Sequence, residues 1–142
     1  MGREINQAGE DLIKGFEKLS IVRYLDEGGL WTIYWGHLIR PGEVFIGTEE
    51  EAEYIFRKDI SYFETRVERL ITAPLNDNQF AALVSFEYNT DGLFASTLRK
   101  RVNNLDYDVA SEFMKWVKVK GVTSNGLIRR RKAEVALWIA DT

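Results

Sequence analysis

Phe16-Glu17-Lys18-Leu19, followed by Tyr24-Leu25-Asp26-Glu27-Gly28-Gly29-Leu30-Trp31-Thr32-Ile33-Tyr34-Trp35-Gly36-His37, is the stretch on which the fold turns. Before it, Leu12, Ile13 and Phe16 recur at helical spacing, so Gln7 to Lys18 predicts a short amphipathic helix with Glu17 near its end. Ile21 to Asp26 alternates loosely and Gly28-Gly29 marks a turn. Leu30 to Trp35 is rich in aromatic and β-branched residues, as strands are. After the Pro41-Gly42 turn, Val44-Phe45-Ile46 predicts a third short strand. Residues 21–47 thus read as a small hairpin or three-stranded sheet.

From Thr48 onward the period becomes helical. Thr48 with Glu51 fits a capping box. Ala52, Ile55, Phe56, Ile60, Phe63, Val67, Leu70 and Ile71 then recur every three or four residues, which predicts one long amphipathic helix ending before Pro74. Asn76 with Gln79 is a second capping box, opening a helix through Phe80, Leu83, Val84 and Phe86. Further helices are expected at 95–103, 106–118 and 126–139. Strands gathered near the N-terminus and helices after them make the class α+β. The expected architecture is a single domain over 1–142, with two lobes joined by the long helix and a cleft between them.

Composition narrows the function. The chain has 142 residues, 45% hydrophobic and 13% aromatic, enough for a packed core. Cysteine is absent, which excludes disulfides, thiol nucleophiles and thiolate zinc sites. His37 is the only histidine, so a His-rich metal centre is excluded as well, and no metal or cofactor is expected. The net charge of -3 disfavours a globally basic nucleic-acid binder. That charge is uneven: -2 over residues 1–47, -6 over 48–92 and +5 over 93–142. The basic final third reads as solvated helix faces more than as a surface for an anionic polymer. No signal-peptide-like apolar run and no membrane-length stretch is visible, so a soluble chain without membrane insertion is expected.

Glu17, Asp26 and Thr32 are the candidate chemical residues. A helix end set against a hairpin can bring all three to one side of a cleft. Two carboxylates facing a cleft suit glycoside hydrolysis, in which one donates a proton and the other stays ionised. Spacing alone is weak support, because 22 acidic residues supply many such pairs.

Glu17, nine residues to Asp26 and six more to Thr32, within Tyr24-Leu25-Asp26…Gly29-Leu30-Trp31-Thr32-Ile33…Gly36-His37, resembles the phage-type lysozymes, glycoside hydrolase family 24, which include many endolysins. The resemblance continues through Glu51-Ala52-Glu53, Asp59, Asn78 to Phe86, Asn89, Ser96-Thr97-Leu98, Gly126-Leu127, Arg130-Arg131 and Ala133-Glu134, so it covers nearly the whole chain. It implies a lysozyme-like fold and a muramidase cleaving the β-1,4 bond between N-acetylmuramic acid and N-acetylglucosamine of peptidoglycan. Glu17 would be the general acid. Asp26 would stabilise positive charge at the anomeric carbon, and Thr32 would hold the attacking water. An inverting course is implied, with the two carboxyls roughly 6.5–9.5 Å apart. Trp31, Tyr34 and Gly36 are expected to contact substrate, and His37 with Asp59 to form a structural ion pair. The resemblance further implies a monomer held in the host cytoplasm until lysis.

Two departures stand near the site. Tyr34 replaces a glycine common in the family, and Asp91 stands where many members carry glycine. If residue 34 needs a positive φ, a tyrosine there is strained or intrudes on the cleft; if it is ordinary strand, tyrosine is favoured. Strand alternation puts Tyr34 on the face of Thr32, while a bend next to Gly36 would turn it away, and the bend is the preferred expectation. An occluded cleft would favour the competing reading, a lysozyme-derived binding or scaffold domain with reduced hydrolysis. Hydrolysis of chitin or chitosan shares the carboxylate chemistry but fits the pattern less well. Trp116 and Trp138 are expected in the core. Arg129-Arg130-Arg131-Lys132 is read as structural helix charge, with Arg130 and Glu134 an i,i+4 pair.

Overall fold

The computed structural model describes residues 2–141; residues 1 and 142, the ends of the expected domain, lie outside them. Helix α1 (Gln7–Glu17) leads into strands β1 (Ser20–Leu25), β2 (Trp31–Tyr34) and β3 (His37–Leu38). Helices α2 (Glu49–Leu70), α3 (Asp77–Thr90), α4 (Thr97–Asn103) and α5 (Ala110–Phe113) follow, then the hairpin β4 (Lys118–Val119) and β5 (Val122–Thr123), and helix α6 (Asn125–Ile139). The α+β class and the early placement of the main sheet agree with the sequence.

Helix α3 is the hub. Its residues Phe80 to Glu87 are all buried, and α1, α2 and α6 pack around it. A helix enclosed on every side loses the one-sided stripe of a surface helix. It opens with the full reciprocal capping box of Asn76 and Gln79. Phe56, Phe80, Leu83, Phe86, Leu98, Phe113 and Trp138 are among the residues of the main core. Helix α2, about 33 Å long at 1.5 Å per residue, runs from this core to a smaller one built on Ile33, Tyr34 and Ala52.

The strands form an antiparallel sheet in the order β1-β2-β3, with Tyr24 opposite Thr32 and Ile33 opposite His37. Three expectations are corrected. Val44-Phe45-Ile46 is not a strand; Val44 and Ile46 are largely exposed, and β3 is instead His37–Leu38. The 106–118 helix shrinks to Ala110–Phe113, and a hairpin unforeseen in the sequence follows it. Lys120 and Gly121 turn that hairpin, both at positive φ (49° and 80°), between β-branched Val119 and Val122. The capping box at Thr48 is half made. Thr48 accepts from the Glu51 amide, but the Glu51 carboxylate accepts from the Ile46 amide (2.8 Å) and from the Tyr34 hydroxyl.

Candidate active site

Helix α1 is built to stop after Glu17. Asn6 caps its start, accepting from the Gly9 amide at 3.0 Å. At its end Lys18 takes a left-handed φ of 56° while donating its amide to Lys14 at 2.9 Å. The turn leaves Glu17 at the helix mouth, on the floor of a cleft of about 810 Å³. Tyr24, Leu25 and Asp26 form one wall; Asn89, Thr90, Trp116, Lys118, Leu127 and Arg130 belong to the other.

Asp26 closes the β1–β2 turn. Its Oδ1 accepts from the Leu30 amide at 2.7 Å, and its carbonyl accepts from the amide of Gly29, which sits at φ 83°. One carboxylate oxygen is thereby fixed, which leaves the other for a ligand. Thr32 is buried, and its hydroxyl donates to the Leu30 carbonyl at 2.9 Å. It lies directly across the ladder from Tyr24, a cleft residue, so the two side chains share a face of the sheet, but Thr32 itself is not among the residues that line the cleft. Burial pushes the Tyr24 hydroxyl pKa up, and the Glu17 and Asp26 carboxylates add to it.

Glu17 has a partner that the sequence reading did not assign to it. Arg130 of α6 donates from Nη1 to Glu17 Oε2 at 2.5 Å, and from Nη2 to the Ser85 carbonyl at 3.2 Å. Arg130 is 3% exposed. Arg131 and Glu134 are buried beside it. Arg130 and Arg131 of the basic run are structural, as expected, whereas Arg129 and Lys132 are exposed, and both Arg129 and Arg130 reach the cleft. A signal for this existed in the sequence. Arg130, Arg131 and Glu134 fall on the same helical stripe as Leu127 and Trp138, so the inward face of α6 is charged at its middle.

The expected substrate contacts fare differently. Tyr34 is corrected: it is fully buried and does not line the cleft. The backbone does take the left-handed conformation there, with φ 60°, and this bend turns the ring into the small core. Its hydroxyl donates to Glu51 and accepts from the Gly47 amide at 3.0 Å, while its ring meets Phe45 edge-on. Burial pushes the Tyr34 hydroxyl pKa up, and the Glu51 carboxylate reinforces that. Trp31 is half exposed, lies under the Arg23 guanidinium (5.8 Å) and is not part of the cleft wall. Gly36, at φ 78°, backs the catalytic candidate instead: a Cβ there would overlap Glu17 Oε1. Trp138 is in the core as expected. Trp116 packs edge-on against Phe86 and also faces the cleft.

His37 Nδ1 lies 2.7 Å from Asp59 Oδ2, and Nε2 lies 3.1 Å from Glu43 Oε1. The hydrogen bond to Asp59 raises the His37 pKa, against the opposing effect of burial. Among the described residues no helix is long and apolar enough to cross a membrane.

The chain matches the phage lysozyme family over residues 14–134. It is 40% identical over 144 residues to the endolysin of Acyrthosiphon pisum secondary endosymbiont phage 1, covering 94% of this chain and 97% of that protein. It is 38% identical over 143 residues to the endolysin of Bacillus phage B103, covering 95% of this chain and 54% of that one. It therefore spans nearly all of the first relative and about half the length of the second. Among solved structures, the muramidase domain of SpmX from Asticaccaulis excentricus superposes with a TM-score of 0.85 at 33% identity, covering 98% of this chain and 100% of that one. The endolysin from Escherichia coli O157:H7 phage FAHEc1 gives a TM-score of 0.81 at 33% identity, covering 99% and 96%.

Proposed function

Because the chain belongs to the phage lysozyme family, we propose that it is a peptidoglycan hydrolase, a muramidase that cuts the β-1,4 bond between N-acetylmuramic acid and N-acetylglucosamine. The observation that carries this reading is Glu17 at the floor of an open cleft with Asp26 on its wall. In the reaction Glu17 delivers a proton to the glycosidic oxygen as the bond to the anomeric carbon breaks. Asp26 uses its free oxygen to stabilise the positive charge that develops there. A water attacks from the opposite face and gives up its surplus proton to the Asp26 carboxylate, which inverts the configuration. The hydrogen of Thr32 is committed to Leu30, so its oxygen can only accept. A water donating to it keeps a lone pair free for attack. Thr32 is buried, so that role needs its hydroxyl to be uncovered when the glycan binds.

The protein would act as a monomer, waiting in the host cytoplasm and reaching the wall when lysis opens the membrane. The test is clearing of purified Gram-negative peptidoglycan, with new reducing ends counted, for the natural protein and Glu17→Gln. The variant should lose roughly 10²–10⁴-fold in rate, the size of a general-acid contribution. Equal clearing by both would remove Glu17 from the mechanism.

A further inference from the structure

We infer that Glu134 is a positioning residue for the general acid: it is the second counter-charge of Arg130, and it lets the Arg130 guanidinium stay buried while Glu17 carries its proton. The inference rests on the muramidase reading and adds a residue that does not touch the substrate.

The problem it answers is electrostatic. A general acid must be protonated at the moment of use. Once protonated, Glu17 no longer neutralises Arg130, which is 3% exposed, and an unpaired buried cation is strongly disfavoured. A lone arginine in that position would therefore hold Glu17 ionised. The structure supplies a second carboxylate on the far side of the guanidinium. Glu134, fully buried, places Oε2 3.4 Å from Arg130 Nε. That Nε is buried and makes no hydrogen bond, so the guanidinium has an unused donor facing Glu134. A small rotation would convert this contact into a bond as Arg130 Nη1 releases Glu17.

Glu134 is itself held in place. Ser85 donates its hydroxyl to Oε2 at 2.6 Å, and Arg131 approaches Oε2 with Nη2 at 3.1 Å and Oε1 with Nε at 2.7 Å. Arg131 is anchored in turn by the Asn89 side-chain oxygen at 2.7 Å. Lys18, Glu27, Lys118 and Arg129 line the cleft with Glu17, while other charges on the packed elements are engaged elsewhere. Lys14 of α1 pairs with Glu10 and Glu53, Glu87 of α3 with Arg66, and Glu112 of α5 with Arg101 and Lys115. Tyr24 and Asp26 face Glu17 from the cleft wall, and Tyr88 donates to the Trp35 carbonyl at 2.6 Å. Burial pushes the Glu134 carboxyl pKa up, against the pull of Arg131 and Arg130.

Glu134→Gln keeps the shape and removes the charge. Arg130 is then compensated by Glu17 alone, so protonating Glu17 becomes harder. The alkaline limb of the pH–activity profile should move to lower pH by about one unit, the size expected for one charge acting at this range in a protein. On the alkaline side of the natural optimum activity should fall by up to about tenfold, with a smaller loss at the optimum itself, and it should return as the pH is lowered. A purely structural role would lower the profile equally at every pH, and either that result or an unmoved limb overturns the inference. If Glu134→Gln does not fold, Glu134→Asp carries the test, since it keeps the charge and retracts it by one methylene. About half the displacement is expected, and none overturns the proposal. The carbon-13 carboxyl signal of residue 17, followed through pH in both proteins, reads the same effect without catalysis. Absence of muramidase activity in the natural protein would end the functional reading, while this titration would still decide the role of Glu134.

Discussion

Arg130 and Glu17 stand 113 residues apart in the chain and meet at 2.5 Å, so the last helix fixes the side chain that the first helix presents to the cleft. The same guanidinium bonds the Ser85 carbonyl on the central helix. One buried side chain therefore ties α1, α3 and α6 together beneath the site.

Replacing it tests both stability and chemistry. Arg130→Met should leave Glu17 with no charged partner and Glu134 paired with Arg131 alone. Losing one partner of a buried pair typically costs about 3–5 kcal/mol. The Glu134 carboxyl, already pushed up by burial and now held by Arg131 alone, takes its proton more readily as the pH falls, which relieves the excess negative charge left by the loss of Arg130. Urea unfolding should therefore show a larger loss at pH 7 than at pH 5. Equal losses at the two values would mean that the cost is packing, not charge.

His37 offers a second pH test. Its raised pKa means that its pairing with Asp59 stabilises the fold fully below the unfolded value of 6.5 and fades as pH rises through the folded one. Burial works to raise the pKa of Glu43, but the Arg40 amide and His37 outweigh it, and the net shift is down. Its contribution is present above 4.5 and is lost as pH falls through the depressed value. Both contributions coexist between about 4.5 and 6.5. Asp59→Asn should lose most there, roughly 1.5–3 kcal/mol for a charged hydrogen bond. Thermal midpoints at pH 5.5 and pH 9 check it; the deficit should be smaller at pH 9.

Much of this was legible in the sequence because periodicity and capping are local signals. The long helix, the Asn76–Gln79 box, and the Glu17, Asp26 and Thr32 spacing all lie within short windows. Arg130 at Glu17 was not legible as a contact, since a pairing across 113 residues depends on how three helices dock. The hairpin at 118–123 was missed because its strands are only two residues each, below the length at which alternation can be read. Tyr34 shows a third limit. Strand alternation would place it with Thr32, but a single left-handed φ rotates it into the core, and only the tertiary bonds to Glu51 and Gly47 hold that conformation in a non-glycine residue.

Those bonds make Tyr34 a stability residue. Tyr34→Phe keeps the ring against Phe45 and removes the hydroxyl, which should cost about 1–3 kcal/mol by leaving the Gly47 amide without its acceptor. Tyr34→Gly relieves a left-handed strain of about 1–2 kcal/mol but loses a buried aromatic worth about 3–5, so it should be the worse variant. Peptidoglycan clearing at 25 °C should stay within a few-fold for both, because the ring is outside the cleft. A large gain in rate for Tyr34→Gly would mean that the ring obstructs the cleft after all.

Gly36 and Gly42 separate backbone strain from active-site geometry. Both have positive φ, 78° and 84°, so an alanine at either should cost about 1–2 kcal/mol from the left-handed conformation alone. Around Gly42 nothing lies within 4 Å of the added methyl. At Gly36 the methyl would overlap the Glu17 carboxylate, which must move, and it is pinned on its other side by Arg130. A displacement of about 1 Å in a reacting group costs on the order of 100-fold in rate. Gly36→Ala should therefore lose about that much muramidase activity, while Gly42→Ala keeps nearly all of it despite a similar fall in thermal midpoint. Unfolding curves and peptidoglycan clearing on the two variants side by side give the answer. Parallel losses of activity would show that strain in the sheet, not the position of Glu17, governs the rate.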